Sequence, residues 1–217
     1  MTHMRGRGTF AAAVALAAGS AVALGCGDNG SPTSPAGSRY VVSAGLDGNF
    51  PTIAAAIKAA PTGEVIEVRG AIGERVVIDK PGVRLRGGAS GALDGALLDG
   101  RGVGILVTAP DVEISNLTVR NFERGIVVQN TSNVVIQGNE VHANNNRAAT
   151  TSPPLAPGVD LYEGIVLIGA SNTQIIENVV RDNGHDGLMI MGGSNNNVVR
   201  NNRMLNNGTQ TQPGRFG

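Results

Sequence analysis

The sequence has one cysteine, no tryptophan, and aromatic side chains at only 3% of its 217 residues. A lone cysteine excludes an intrachain disulfide. The scarcity of aromatics weighs against a carbohydrate-binding module built on aromatic platforms. Lys plus Arg and Asp plus Glu number 17 each, so the formal net charge is zero. That excludes a nucleic-acid binder working through a basic face. Beyond residue 24 no apolar run is long enough to span a bilayer. Past residue 61 no helical period appears. What the chain has in abundance is glycine, 32 residues of it, and asparagine crowded into the second half. Both residues tolerate left-handed backbone at tight turns. With short Val/Ile runs between them, the pattern predicts many short strands joined by many turns.

Arg5 and Arg7 precede an almost wholly apolar stretch over residues 9–24, followed by Gly25 and the only cysteine, Cys26. A basic start, an apolar segment of this length and small residues at the cut make a secretory signal over residues 1–25. The Gly25-Cys26 junction resembles a bacterial lipobox, with Ala23 where Leu is commoner. The resemblance implies acylation of Cys26 and an exported protein held to a membrane of the cell envelope, as an outer-membrane lipoprotein. Cleavage after Ala23, or an uncleaved anchor, are the alternatives. Residues 26–38 are rich in Gly, Ser and Pro and read as a flexible tether. The folded part is expected over 39–217.

Tyr40 to Ser43 predict a strand. Phe50, Ile53 and Ile57 have helical spacing, with Pro51 in the first turn and Pro61 ending the run. A single short helix before a long series of strands suits a cap over the open end of a stacked sheet. β-Branched runs follow at Val65 to Val68, Arg75 to Ile78, Val83 to Arg86 and Leu97 to Leu98.

A repeat then emerges. NVVIQGNEVHANN (133–145), NTQIIENVVRDNG (172–184) and NNVVRNNRMLNNG (196–208) align without gaps. The fourth place holds Ile136, Ile175 or Val199. The seventh holds Asn139, Asn178 or Asn202, and the twelfth Asn144, Asn183 or Asn207. A weaker earlier copy puts Leu117 and Phe122 in the two Asn places. Between copies stand Gly-apolar strands beginning at Gly104, Gly125, Gly164 and Gly187, spaced by 21, 39 and 23 residues. The long interval is one ordinary coil plus an insertion at about 145–161. A period near 22 with several short strands predicts coils stacked about 4.8 Å apart, with like residues over like. Asn at one place in successive coils can then hydrogen-bond along the stack as a ladder. The expected fold is all-β: a single-stranded right-handed parallel β-helix, a solenoid with a short N-terminal capping helix.

The stretch GNFPTIAAAIKAAPTGEVIEVRGAIGERVVIDKPGVRLRG (48–87) resembles the opening of pectin-esterase-like and copper-pathway periplasmic β-helix proteins. The Asn-rich copies resemble the parallel β-helix repeat of the pectate-lyase-like superfamily, which includes polygalacturonases and mannuronan epimerases. The resemblance spans residues 40–208. It implies a polysaccharide partner, with lyase, epimerase or hydrolase activity on uronates; a non-catalytic structural or surface-display solenoid is the alternative. The families' own signatures are absent. There is no Asn-Thr-Asp, Asp-Asp or Gly-His-Gly motif, and no Asp-Pro-His.

Directly before three successive Gly-apolar strands stand Glu123-Arg124, Tyr162-Glu163 and His185-Asp186. Coils in register would make two columns, one of Glu123, Tyr162 and His185, the other of Arg124, Glu163 and Asp186. Glu163 and Asp186 would lie about 5 Å apart at the backbone. Two carboxylates that close raise one another's proton affinity or share a cation such as Ca2+. Tyr162 and His185 could abstract and return a proton beside a uronate carboxylate held by Arg124. The competing reading makes the columns solvated turn residues. His142 and His185 are too isolated in sequence for a zinc or copper site, so no metal is expected on that basis. The face carrying Val127, Val166 and Met189 is expected to point outward and is apolar, unlike a calcium-dependent lyase cleft. The tail QTQPGRFG offers no evident cap, an edge liability suggesting that more coils follow.

Overall fold

The computed structural model describes residues 40–45, 47–145 and 162–208. Over these the chain winds in stacked rungs, feeding three parallel sheets of seven, six and five strands. One complete rung runs through Glu113–Ser115, Thr118–Arg120 and Arg124–Gln129. It visits the seven-, six- and five-stranded sheets in that order. The fold is an all-β right-handed parallel β-helix.

The turns explain the Asn-rich sequence. Between the seven- and six-stranded sheets the chain bends through one left-handed residue per rung: Asn116 (φ 53°), Gly138 (65°), Glu177 (58°) and Asn201 (57°). A second left-handed residue leaves the six-stranded sheet: Asn121 (62°), Ala143 (53°), Asp182 (54°) and Asn206 (52°). Gly and Asn adopt this conformation at least cost.

Each turn is followed by a residue whose side chain enters the stack. Asn178 Oδ1 accepts from the Asn139 N–H and amide at 2.9 and 3.0 Å, and Asn202 Oδ1 serves Asn178 in the same way at 2.9 Å each. A second ladder joins Asn144, Asn183 and Asn207. In the weak repeat, Leu117 and Phe122 keep the apolar role but their N–H groups donate to Asn139 and Asn144. Buried turn backbone is thus satisfied by side chains from the next rung.

Between the ladders run aliphatic columns in register: Ile114, Ile136, Ile175 and Val199; Val119, Val141, Val180 and Met204; Ile105, Ile126, Ile165 and Leu188. Each fully buried member contributes on the order of 1.5–3 kcal/mol. On the outside, charges pair between rungs, as in Arg120–Asp94 and Arg181–Glu140.

The helix α1 (Ile53–Ala59) closes the first-rung end. Thr52 Oγ accepts the Ala55 N–H, the Glu74 carboxylate takes those of Ile53 and Ala54, and the Lys80 ammonium meets the carbonyls of Ile57 and Ala60 at the far end. Two turns are too short to be stable alone; Ile53, Ala56 and Ile57 are buried in the common core.

Two local expectations change. Phe50 is not helical: it forms a parallel bridge beside Val42 and stacks on Tyr40. Leu97 and Leu98 do not form a strand. They are exposed around a 3-10 turn, Gly95–Leu97, capped by Asp94, and the strand of that rung is Ala92–Asp94. The bare Leu pair had no alternation to specify a buried face. The signal segment, the tether with Cys26 and residues 146–161 of the insertion lie outside the described residues. Among the described residues no helix is long and apolar enough to cross a membrane.

Candidate functional site at a corner of the five-stranded sheet

The corner where rungs enter the five-stranded sheet is built on glycine. A Cβ at Gly125 would fall 2.5 Å from the Gly164 carbonyl oxygen, and one at Gly164 would fall 2.5 Å from that of Gly187. Neither residue has a left-handed φ, so close approach of the next rung, not turn conformation, requires glycine here.

Glycine packing holds the preceding pairs in register. The Gly125 N–H donates to the Glu163 carbonyl at 3.0 Å and the Gly164 N–H to that of Asp186 at 2.9 Å. The Tyr162 N–H donates to the Glu123 carbonyl, and the His185 N–H to the Tyr162 carbonyl at 2.9 Å. Both expected columns therefore exist.

Their side chains divide into two groups. Glu163 is fully buried, and its Oε1 lies 3.1 Å from His185 Nδ1 while Oε2 accepts the Asp186 N–H at 2.8 Å. His185 Nδ1 is also 3.4 Å from Asp186 Oδ2. One potential ligand atom from each of these three residues lies within 4.8 Å of the others. Burial pushes the Glu163 carboxyl up to about 7; the charge of His185 opposes the rise and that of Asp186 adds to it. His185 is one-third exposed and Asp186 half exposed, so the cluster opens to solvent on their side. An isolated histidine in the sequence is thus not isolated in space.

Glu123 belongs to the other group. Its Oε2 turns one rung toward the start of the chain and accepts the Gly102 N–H at 2.8 Å. Its Oε1 has no hydrogen-bond partner among the described residues. Arg124 shares a column with Glu163, and its side chain is buried. Tyr162 is buried with a left-handed φ of 81°. Beside the corner, the outward residues Val127, Val166 and Ile168 are buried in an apolar cluster with Met189 and Met191 packed against them. The face is apolar as expected, but Val127 and Val166 are fully covered rather than presented to solvent.

Sequence reasoning missed a second feature. A polar cavity of about 260 Å³ opens on the seven-stranded sheet, lined by Arg84, Arg86, Glu113, Gln137 and Glu177 among others. Its charged walls largely pair with neighbouring rungs, Arg84 with Glu113 and Arg86 with Glu67. Alternating charge along outward columns was the available signal. The cavity is on a different sheet from the carboxylate–histidine cluster, where the titratable groups converge, and the chemistry favours the cluster.

Stacked parallel rungs, apolar columns and internal Asn ladders define a parallel solenoid. A family model for the right-handed β-helix region matches residues 66–212, and the chain belongs to that family. No curated protein and no solved structure matches the chain.

Proposed function

We propose that this is an exported, lipid-anchored β-helix of the pectate-lyase-like kind that binds or modifies an extended polysaccharide. The observation carrying the reading is the convergence of Glu163, His185 and Asp186 from two rungs at one solvent-facing corner. A rung-by-rung surface repeats along its axis, which suits a polymer better than a small molecule. Carboxylates and an imidazole are the groups that proton abstraction beside a uronate carboxylate needs, and Tyr162 supplies a phenol in the adjoining column. The Gly25-Cys26 junction supports acylation at Cys26 and a place in the cell envelope.

The test is incubation of purified mature protein with polygalacturonate and polymannuronate. Unsaturated sugar ends absorbing in the ultraviolet indicate a lyase, and altered uronate stereochemistry in the NMR spectrum an epimerase. Retention on the immobilised polymers without turnover indicates a binder. No turnover, no epimerisation and no retention would overturn the proposal. The covered apolar cluster of Val127, Val166 and Ile168, which offers a ligand no polar group on that sheet, favours a second reading, a structural solenoid of the envelope.

A further inference from the structure

We infer that Glu163, His185 and Asp186 form a binding site for a divalent transition cation of the zinc type. The inference rests on the same corner being the working site, and deepens that reading by naming a cofactor.

The first support is donor geometry. The Nδ1 atom of His185 stands 3.1 Å from Glu163 Oε1 and 3.4 Å from Asp186 Oδ2. Zinc bonds of roughly 2.0–2.2 Å to imidazole and carboxylate place tetrahedral ligands about 3.3–3.5 Å apart. Two of the three donor separations therefore already match the edges of such a polyhedron, all three donors lie within 4.8 Å of one another, and small rotations of side chains would admit the ion.

The second is the burial of the central carboxylate. Glu163 is fully buried, and its hydrogen-bond partners are the His185 ring and one backbone N–H. A buried carboxylate beside a second carboxylate is costly to ionise, and a cation held between the two offsets both the burial and the repulsion. The Asp186 N–H fixes Oε2 and leaves Oε1 directed at the histidine, the way an outer hydrogen bond orients a ligand.

The third is donor type. Imidazole with two carboxylates suits zinc-like ions, whereas calcium takes six to eight oxygens. With His185 and Asp186 partly exposed, a fourth position faces solvent and is open to water or a substrate oxygen. Such a cation would polarise a bound oxygen of the ligand.

The experiment needs no polysaccharide. Full-length protein stripped with chelator is titrated with Zn2+, Co2+ and Ca2+ alone by calorimetry, with the Co2+ form followed by visible absorption. The expected result is one Zn2+ per chain, bound at least a hundredfold more tightly than Ca2+, and a Co2+ spectrum with the intense bands of four-coordination. His185→Ala and Glu163→Gln should each weaken Zn2+ at least tenfold, while His142→Ala leaves it unchanged. Circular dichroism confirms folding, and the partial exposure of His185 makes its truncation a mild one. Absence of stoichiometric Zn2+ binding, or binding indifferent to His185→Ala and Glu163→Gln, would overturn the inference. Metal binding without action on or retention by polyuronates would sink the polysaccharide reading and leave the cation site standing.

Discussion

Asn139 donates twice to one oxygen of Asn178: its backbone N–H at 2.9 Å and its side-chain amide at 3.0 Å. Asn178 in turn donates its amide to the Ile136 carbonyl and to Asn202 Oδ1, both at 2.9 Å. One side chain thus satisfies the turn of the preceding rung and is satisfied by the next. Removing it strands groups on both sides. Asn178→Ala is expected to lose about 2–4 kcal/mol, since several buried polar groups lose partners together. Urea unfolding measures this, and a loss below about 1 kcal/mol would show that water replaces the ladder.

The inter-rung approach at the site corner gives a sharper steric test. At Gly164 an added methyl meets the Gly187 carbonyl oxygen at 2.5 Å and Val180 Cγ1 at 2.6 Å. Backbone cannot yield as a flexible side chain does, so Gly164→Ala should destabilise by about 3 kcal/mol or more. Gly63→Ala makes a useful control: it has free space but a left-handed φ of 83°, so only conformational strain of about 1 kcal/mol applies. Equal midpoints for the two variants would contradict the packing argument.

Ala143 offers a gain. It occupies the left-handed turn position at φ 53° where other rungs use Asn121, Asp182 and Asn206. Replacing it with Asn or Gly relieves backbone strain at a site whose side chain is only partly buried. Stability should rise by about 0.5–1 kcal/mol, read as a higher denaturant midpoint at unchanged slope. A fall would mean that the Ala143 methyl is held by packing worth more than the strain.

Acid–base behaviour follows from Glu163. In chelator-treated protein its carboxyl is pushed up to about 7 from the ordinary 4.5, chiefly by burial. A raised acid binds its proton more tightly in the folded chain. Its stabilising contribution is complete below about pH 4.5 and is lost as pH rises through 7. Glu163→Gln, which cannot ionise, should therefore match the parent near pH 4 and exceed it above pH 7, by several degrees in thermal midpoint. Parallel midpoint curves across that range would show that the carboxylate is compensated in the folded state.

Much of the architecture was written locally. The apolar fourth place and the two Asn places recur in each copy, and each recurrence needs only its own rung's turn and strand to be read. That is why Ile136, Ile175 and Val199 fall in one column as expected, and why the Asn ladders could be named in advance. Leu97 and Leu98 show where such reading stops. Two adjacent leucines carry no period, and the chain turned them outward around a capped bend.

The sequence by itself determined the stacking, the residues that line it and the two polar columns before the glycines, because a repeat states the same local preference several times. Only the tertiary structure decided the chemistry of those columns. Glu123, two residues before its glycine, reaches back to Gly102, whereas Glu163, directly before its glycine, reaches forward to Asp186. Side-chain direction there is set by which neighbouring rung presents a free N–H, and depth by what packs across the corner. Both are contacts between residues more than twenty positions apart, so no window of sequence contains them.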